Sequence, residues 1–159
     1  MNTLLLVIDM QKAFINPNTE YLIEKISNLI NANKYNYIVF TRFINTNDSI
    51  YVRDLNYYGC IGEDKELVIK PDNHKVIDKK VYSSLNSELK NYIIENNIDK
   101  IYLCGINTDC CVLKTAFDLF ENEYDFYILK DYCASTNGIE KHNNALEILK
   151  RNIGNKRII

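Results

Sequence analysis

Residues 3–8 read Thr-Leu-Leu-Leu-Val-Ile, an apolar run stopped by Asp9, and this run constrains the fold more than any other stretch of the chain. It is too short for a helix, and a strand with one face in water would alternate apolar and polar positions. A strand that is apolar at successive positions is buried on both faces. That is the situation of a strand inside a parallel sheet covered by helices.

Later stretches repeat the pattern with helices in between. From Tyr21 onward, Leu22, Ile23, Ile26, Leu29 and Ile30 lie on one helical face, with Asn18 predicted as the N-cap after Pro17. Strands are predicted over 37–43, 75–78, 100–104 and 125–130, with a sixth over 156–159, and further helices over 85–96, 109–121 and 139–152. Regular alternation predicts an α/β fold with three α/β/α layers, built on a mainly parallel five- or six-stranded sheet of Rossmann-like order. Residues 44–74 break the rhythm with Gly59, Gly62, Pro71 and scattered polar positions. A loop of that length inside a compact domain is expected to be a substrate-side element or an interface arm. With 159 residues and no internal repeat or linker, the span 1–159 reads as a single domain.

Composition removes several classes of function. Hydrophobic residues make up 47% and charged residues 25%, with 5 Gly and 2 Pro, which excludes collagenous and disordered chains. The 19 basic and 21 acidic residues leave a net charge of −2 without a long run of either sign, so neither nucleic acid nor an anionic membrane is an expected partner. No apolar stretch approaches the ~20 residues of a bilayer span, and the opening residues do not resemble a signal peptide, so the expected location is cytoplasmic. Cys60, Cys104, Cys110, Cys111 and Cys133 are accordingly expected to be free thiols. There is no Cys-x-x-Cys element, and His74 and His142 lie outside zinc-type spacing, so no metal and no other cofactor is expected.

In open parallel sheets, ligands bind beyond the carboxyl ends of the strands. At those ends the chain places Asp9, then Asp78-Lys79, then Gly105-Ile106-Asn107-Thr108, then Lys130-Asp131. The helix after the fourth strand opens with Cys110-Cys111. A thiol in the first turn of a helix meets the positive end of the dipole and unpaired N–H groups, which favour thiolate and can receive an oxyanion. Asp9 is placed to take the thiol proton, and Lys79 to keep that carboxylate ionised. Singly, each has an ordinary explanation: Asp9 as a turn residue, Lys79 as a solvated lysine, Cys104 as core. Together at three strand ends they point to acyl transfer through a thioester.

Three blocks then carry a family resemblance. Asp9-Met10-Gln11 with Phe14, Lys79-Lys80-Val81-Tyr82-Ser83, and Gly105-Ile106-Asn107-Thr108-Asp109-Cys110-Cys111-Val112 resemble, in order and spacing, the signature blocks of the isochorismatase-like cysteine hydrolases. The resemblance implies Asp9 as general base, Lys79 as the triad lysine and Cys111 as nucleophile. It also implies a cis peptide at Ile106-Asn107, with the N–H groups of Asn107 and Cys111 forming the oxyanion hole. Cys110, about 100° of helix away from Cys111, is expected to point elsewhere. Asp131-Tyr132-Cys133-Ala134-Ser135 is similar to the family's block after the fifth strand and is assigned to structural support. Phe14 and Tyr82 are expected pocket walls. Arg42 is a candidate partner for a substrate carboxylate, with a structural ion pair as its alternative.

Departures from the family narrow the expectation. Nicotinamidases in this group carry an Asp-x-His metal site after strand two, where the chain reads Thr41-Arg42-Phe43-Ile44-Asn45. Isochorismatases proper lack the cysteine. The implied activity is therefore a metal-independent amidohydrolase that cleaves a C–N bond of a small amide, carbamoyl or ureido compound. Homo-oligomerisation, common among relatives, is an expectation from resemblance alone. Two rivals remain: a phosphoacceptor domain using Asp78 and Lys130, and a catalytically silent or thiol-redox protein acting through Cys110 and Cys111.

Overall fold

In the computed structural model, which describes residues 1–159, the strands β1 (Asn2–Ile8), β2 (Tyr37–Phe43), β3 (Lys75–Lys79), β4 (Ile98–Ile106) and β5 (Phe126–Ala134) form one sheet. Their order is β3-β2-β1-β4-β5, and all neighbours are parallel. The central place of β1 explains its composition: every side chain from Leu4 to Ile8 is fully buried. Leu4, Leu6 and Ile8 face a core shared with α3 (Ser87–Glu95), α4 (Leu113–Glu121) and α5 (Ile139–Ile153). Leu5 and Val7 face the opposite core, shared with α1 (Tyr21–Asn31) and Ile69. Burying each such side chain contributes about 1.5–3 kcal/mol, which accounts for the strict apolarity of the run. The three-layer α/β/α architecture follows.

Several boundaries differ from the sequence reading for local reasons. The end of the chain does not add a sixth strand: Asn155–Arg157 is a 3-10 turn, and only Ile158 bridges to Ile128 of β5. Asn18 does not cap α1, which starts after Glu20; its side-chain amide donates instead to the Thr136 carbonyl at 3.0 Å. β4 and β5 each run past their predicted ends. The helix expected from residue 109 opens as a wider turn, Thr108–Val112, in which the Val112 N–H reaches back five residues to the Asn107 carbonyl. No helix is long and apolar enough to cross a membrane.

Segment 44–74 is ordered by its own polar residues. It contains α2 (Ile50–Leu55), capped by the Ser49 hydroxyl accepting from the Val52 N–H at 3.2 Å. Buried Asn45 donates to the carbonyls of Tyr57 and Gly59, both at 3.0 Å, and accepts from the Thr46 N–H and the Ser49 hydroxyl. Gln11 then joins this segment to the sheet, donating to Phe43 O and Lys65 O at 2.8 Å each and accepting from Phe43 N at 2.8 Å.

One glycine decides how the carboxyl edge closes. Gly105 has φ of +118°, and a Cβ there would lie 2.1 Å from the Ile8 carbonyl oxygen. β4 can approach β1 this closely only without a side chain. Gly105→Ala is therefore expected to destabilise the protein by roughly 2–4 kcal/mol, measured by urea unfolding. A change under about 0.5 kcal/mol, the range of ordinary surface substitutions, would show that the approach is not required.

Candidate active site

Asp9, the first residue beyond β1, takes φ of +49°, a left-handed conformation that Asp tolerates better than most residues. Its side chain is fully buried. The Thr41 hydroxyl donates to Asp9 Oδ1 at 2.7 Å, and the Asp9 N–H is held by Thr41 O at 3.3 Å. From β3, two strands away, Lys79 brings its ammonium to 2.8 Å from Asp9 Oδ2, with both side chains shielded from water.

The three N–H bonds of that ammonium are allotted by the loop that follows. Two reach the carbonyls of Val81 and Tyr82 at 3.0 and 3.1 Å. Cys111 Sγ lies 3.5 Å from the same nitrogen. Lys79 is the only group that closes on Asp9 Oδ2, and its ammonium there is a buried counter-charge that still leaves that oxygen a second lone pair for an incoming proton. Burial opposes the Lys79 ammonium, but the Asp9 charge and the hydrogen bonds to Asp9 and to the Cys111 sulfur outweigh it, and its pKa lies above the ordinary lysine value.

The structure reverses one electrostatic expectation. The Cys111 thiol, 6% exposed, is pushed well above the ordinary cysteine range, first by its neighbour Cys110, then by burial and the Asp9 carboxylate, against the pull of Lys79. First-turn placement does not overcome these effects. Cys111 rests as a thiol, so its proton must leave when it attacks. The other buried thiols have no such arrangement: Cys104 lies in the core, and burial pushes both Cys60 and Cys133 up to about 12.

A cavity of about 260 Å³ opens above Cys111. Phe14 and Tyr82, the two predicted walls, line it, and so do Phe43, Tyr51, Leu55 and Tyr57. The Phe14 and Tyr57 rings are parallel within 5° at 6.4 Å, and Tyr51 meets Phe43 and Tyr82 edge-on at 5.0 and 5.1 Å. Tyr51, Leu55 and Tyr57 belong to segment 44–74, which thus supplies part of the cavity wall; the short cluster Tyr51, Tyr57 and Tyr58 was the available signal. Of Thr41 and Gln11, which anchor the site from below, Gln11 was legible only as part of the first family block and Thr41 had no signal of its own. Asn107 also borders the cavity; its peptide with Ile106 is cis, and its N–H has no backbone acceptor.

Two assignments need correction. Cys110 does not point elsewhere: it borders the same cavity as Cys111, because the cavity sits at the end of the helix, where neighbouring side chains of the wide first turn both reach its rim. Arg42 does not line the cavity. Its guanidinium binds Asp78 through two bonds of 2.8 and 3.0 Å and lies 3.3 Å from Glu66. The strand-end ion pair is the role it takes. Asp78, the acceptor in the phosphoacceptor reading, is that exposed partner.

Residues after β2 do not suit the metal found in some relatives. Arg42 and Phe43 offer no ligand, and the Asn45 side chain is committed to four backbone and hydroxyl groups. No group of three His, Cys, Asp or Glu side chains is arranged to share an ion.

A buried carboxylate, ammonium and thiol thus meet at the carboxyl edge of a five-stranded parallel sheet, an arrangement with the parts for cysteine-based acyl chemistry. The model of the isochorismatase domain matches residues 3–156, and the chain belongs to the isochorismatase family. It is 30% identical over 143 residues to isochorismatase family protein 1B of Dictyostelium discoideum, covering 86% of this chain and 65% of that protein. The chain thus spans just under two thirds of the length of that relative. The pyrazinamidase of Pyrococcus horikoshii, solved in complex with zinc, superposes with a TM-score of 0.84 at 25% identity, covering 99% of this chain and 97% of that one. N-carbamoylsarcosine amidase from Thermoplasma acidophilum shares the fold, with a TM-score of 0.81 at 22% identity over 97% of this chain and 94% of its own.

Two measurements probe this geometry. Because Cys111 rests protonated, its alkylation by iodoacetamide in the free protein is expected to keep accelerating above about pH 8.5, the ordinary thiol pKa; a plateau reached by neutral pH would indicate a preformed thiolate. Lys79→Met leaves Asp9 buried without its counter-charge and is expected to cost about 3–5 kcal/mol in urea unfolding at neutral pH. Unchanged stability would mean that the pair is not desolvated as described.

Proposed function

We propose that this protein is a cysteine hydrolase that cleaves the C–N bond of small, uncharged amide, carbamoyl or ureido compounds through a thioester. The observation that carries the reading is the position of the Lys79 ammonium, 2.8 Å from Asp9 Oδ2 and 3.5 Å from the Sγ of Cys111, the residue of the three that lines a cavity open to solvent. Asp9 takes the proton from the Cys111 thiol as sulfur attacks the carbonyl carbon, and the free lone pair on Oδ2 is the base. Lys79 holds the new thiolate and the carboxylate in place until the proton has moved. The oxyanion is received by the N–H groups of Asn107 and Cys111. The C–N bond breaks as Asp9 returns the proton to the departing nitrogen. Water, deprotonated by Asp9, then attacks the thioester, releasing the acid and restoring the thiol.

Wall chemistry narrows the substrate. At about 260 Å³ the cavity falls below the ~300–1,000 Å³ of sites for drug-sized ligands, which suits a small molecule. Its sides are aromatic and aliphatic, the Lys79 ammonium is fully engaged, and Arg42 is turned away. A substrate carboxylate would lose its water there without gaining a counter-charge. Neutral amides and ureas are therefore favoured over carbamoyl amino acids. With the positions after β2 unsuited to a metal, the reaction is drawn without one.

The test is ammonia release from a panel of neutral primary amides, ureas and carbamoyl amino acids, with intact-protein mass spectrometry to trap an acyl-enzyme. Neutral compounds are expected to turn over, unaffected by chelators. Cys111→Ala is expected to lose at least about 1,000-fold in kcat with a native far-UV circular dichroism spectrum. Turnover that survives the substitution would remove the proposed nucleophile. Reversible oxidation of Cys110 and Cys111 with no acyl-enzyme on any compound would instead mark a thiol-redox protein.

A further inference from the structure

Behind the turn that carries Cys111, on the side away from the cavity, a second set of polar contacts has no part in the chemistry described above. Thr108, the first residue of that turn, is fully buried, and its hydroxyl meets the Nδ1 of His142 at 2.7 Å. His142 projects from α5 and is itself 8% exposed. Beside it, the Asn107 side-chain carbonyl accepts from the Thr136 N–H at 2.7 Å, and Thr136 O in turn accepts from the amides of Asn16 and Asn18 at 3.0 Å each. The loop between β5 and α5 and the first turn of α5 thus hold Asn107 and Thr108 from behind, at two successive residues.

These two residues are the ones whose placement matters most for a developing oxyanion. The Asn107 N–H has no backbone acceptor, so nothing on its own side fixes its direction. It lies in the Ile106–Asn107 peptide plane, whose tilt depends on how Asn107 and the next residue, Thr108, are anchored from behind. A hydroxyl so deeply buried is satisfied only in the orientation that reaches His142, because no other partner lies within bonding distance. Burial also lowers the His142 pKa, against the charges of Asp109 and Asp131, which keeps the ring neutral at pH 7. A neutral ring exchanges one hydrogen bond with the hydroxyl and adds no charge near the reacting carbonyl.

We propose that His142 is a positioning residue, which through the Thr108 hydroxyl fixes the turn that aims the oxyanion-receiving N–H groups at the carbonyl attacked by Cys111. The inference rests on the function proposed above, and its test separates the two. Acylation by p-nitrophenyl acetate forms the S–C bond, expels p-nitrophenolate and passes the thiol proton to Asp9. It builds negative charge on the carbonyl oxygen. Alkylation by iodoacetamide forms an S–C bond by displacing iodide and builds no oxyanion. The ratio of the two rates at Cys111 therefore reports the oxyanion turn and cancels changes in thiol exposure or ionisation.

Thr108→Val, which removes the hydroxyl at nearly constant volume, is expected to slow acylation about 10–100-fold while alkylation stays within about twofold. Thr108→Ser, which keeps the hydroxyl, is expected to restore most of the rate. His142→Asn, which keeps a polar atom near the Nδ1 position, is expected to lose less than His142→Leu. His142→Leu combined with Thr108→Val is expected to lose no more than either alone, since both break one contact. Equal slowing of both reactions, failure of Thr108→Ser to rescue, or multiplicative losses in the double variant would each overturn the positioning role. If the unsubstituted protein shows no acylation that disappears in Cys111→Ala, the proposed hydrolase itself fails, whatever the turn variants do.

Discussion

The carboxyl edge of this sheet is organised by two opposite charges that water does not reach. Taking the Asp9 carboxylate and the Lys79 ammonium out of water costs several kcal/mol for each ion, and their attraction offsets this only when the remaining polar atoms find partners. Thr41 supplies one to Asp9, and the carbonyls of Val81 and Tyr82 supply two to Lys79. The pair also ties the edge strand to the central one. Lys79 can reach Asp9 only because β3 and β1 flank β2 and because Phe43 stands in register with Lys79. Sheet order and site chemistry are thus one constraint.

Cys111 inherits its state from that pair. A buried thiol hydrogen-bonded to the neighbouring Cys110 and set beside a carboxylate resists ionising, and the Lys79 ammonium does not cancel the effect. A resting thiol is protected from stray electrophiles and oxidants, because the thiolate is the reactive form. The family match places the chain in the isochorismatase family, and the rings of Phe14, Phe43, Tyr51, Tyr57 and Tyr82 give its cavity an aromatic wall.

Much of this was legible beforehand. β1 could be read because a strand buried on both faces leaves a continuous apolar run, and β2 matched its predicted span although Thr41 and Arg42 interrupt its apolar residues. Asp9 and Lys79 stood at strand ends and Cys110-Cys111 at the start of the helix after the fourth strand, where the rule for ligand placement in parallel sheets points, and the family resemblance chose Cys111 of the two. The short bridge at Ile158 looked like a strand because local preference carries no information on how much partner edge is free. Asn18 looked like a cap, yet its amide was claimed by Thr136, 118 residues away in the chain.

Arg42 and Cys110 mark the same boundary from the functional side. An arginine at a strand end suits a substrate carboxylate or a neighbouring Asp equally well, and only the position of Asp78 and Glu66 in space chooses. The sequence by itself determined the fold class and the order of strands and helices, and put a carboxylate, an amine and a pair of thiols near the carboxyl edge, because periodicity and residue chemistry are local properties. Tertiary structure alone decided which aromatic rings wall the cavity, that the thiol rests protonated, and that His142 stands behind the cysteine-bearing turn. Each of these depends on distances between segments far apart in the chain, and burial and charge act through those distances.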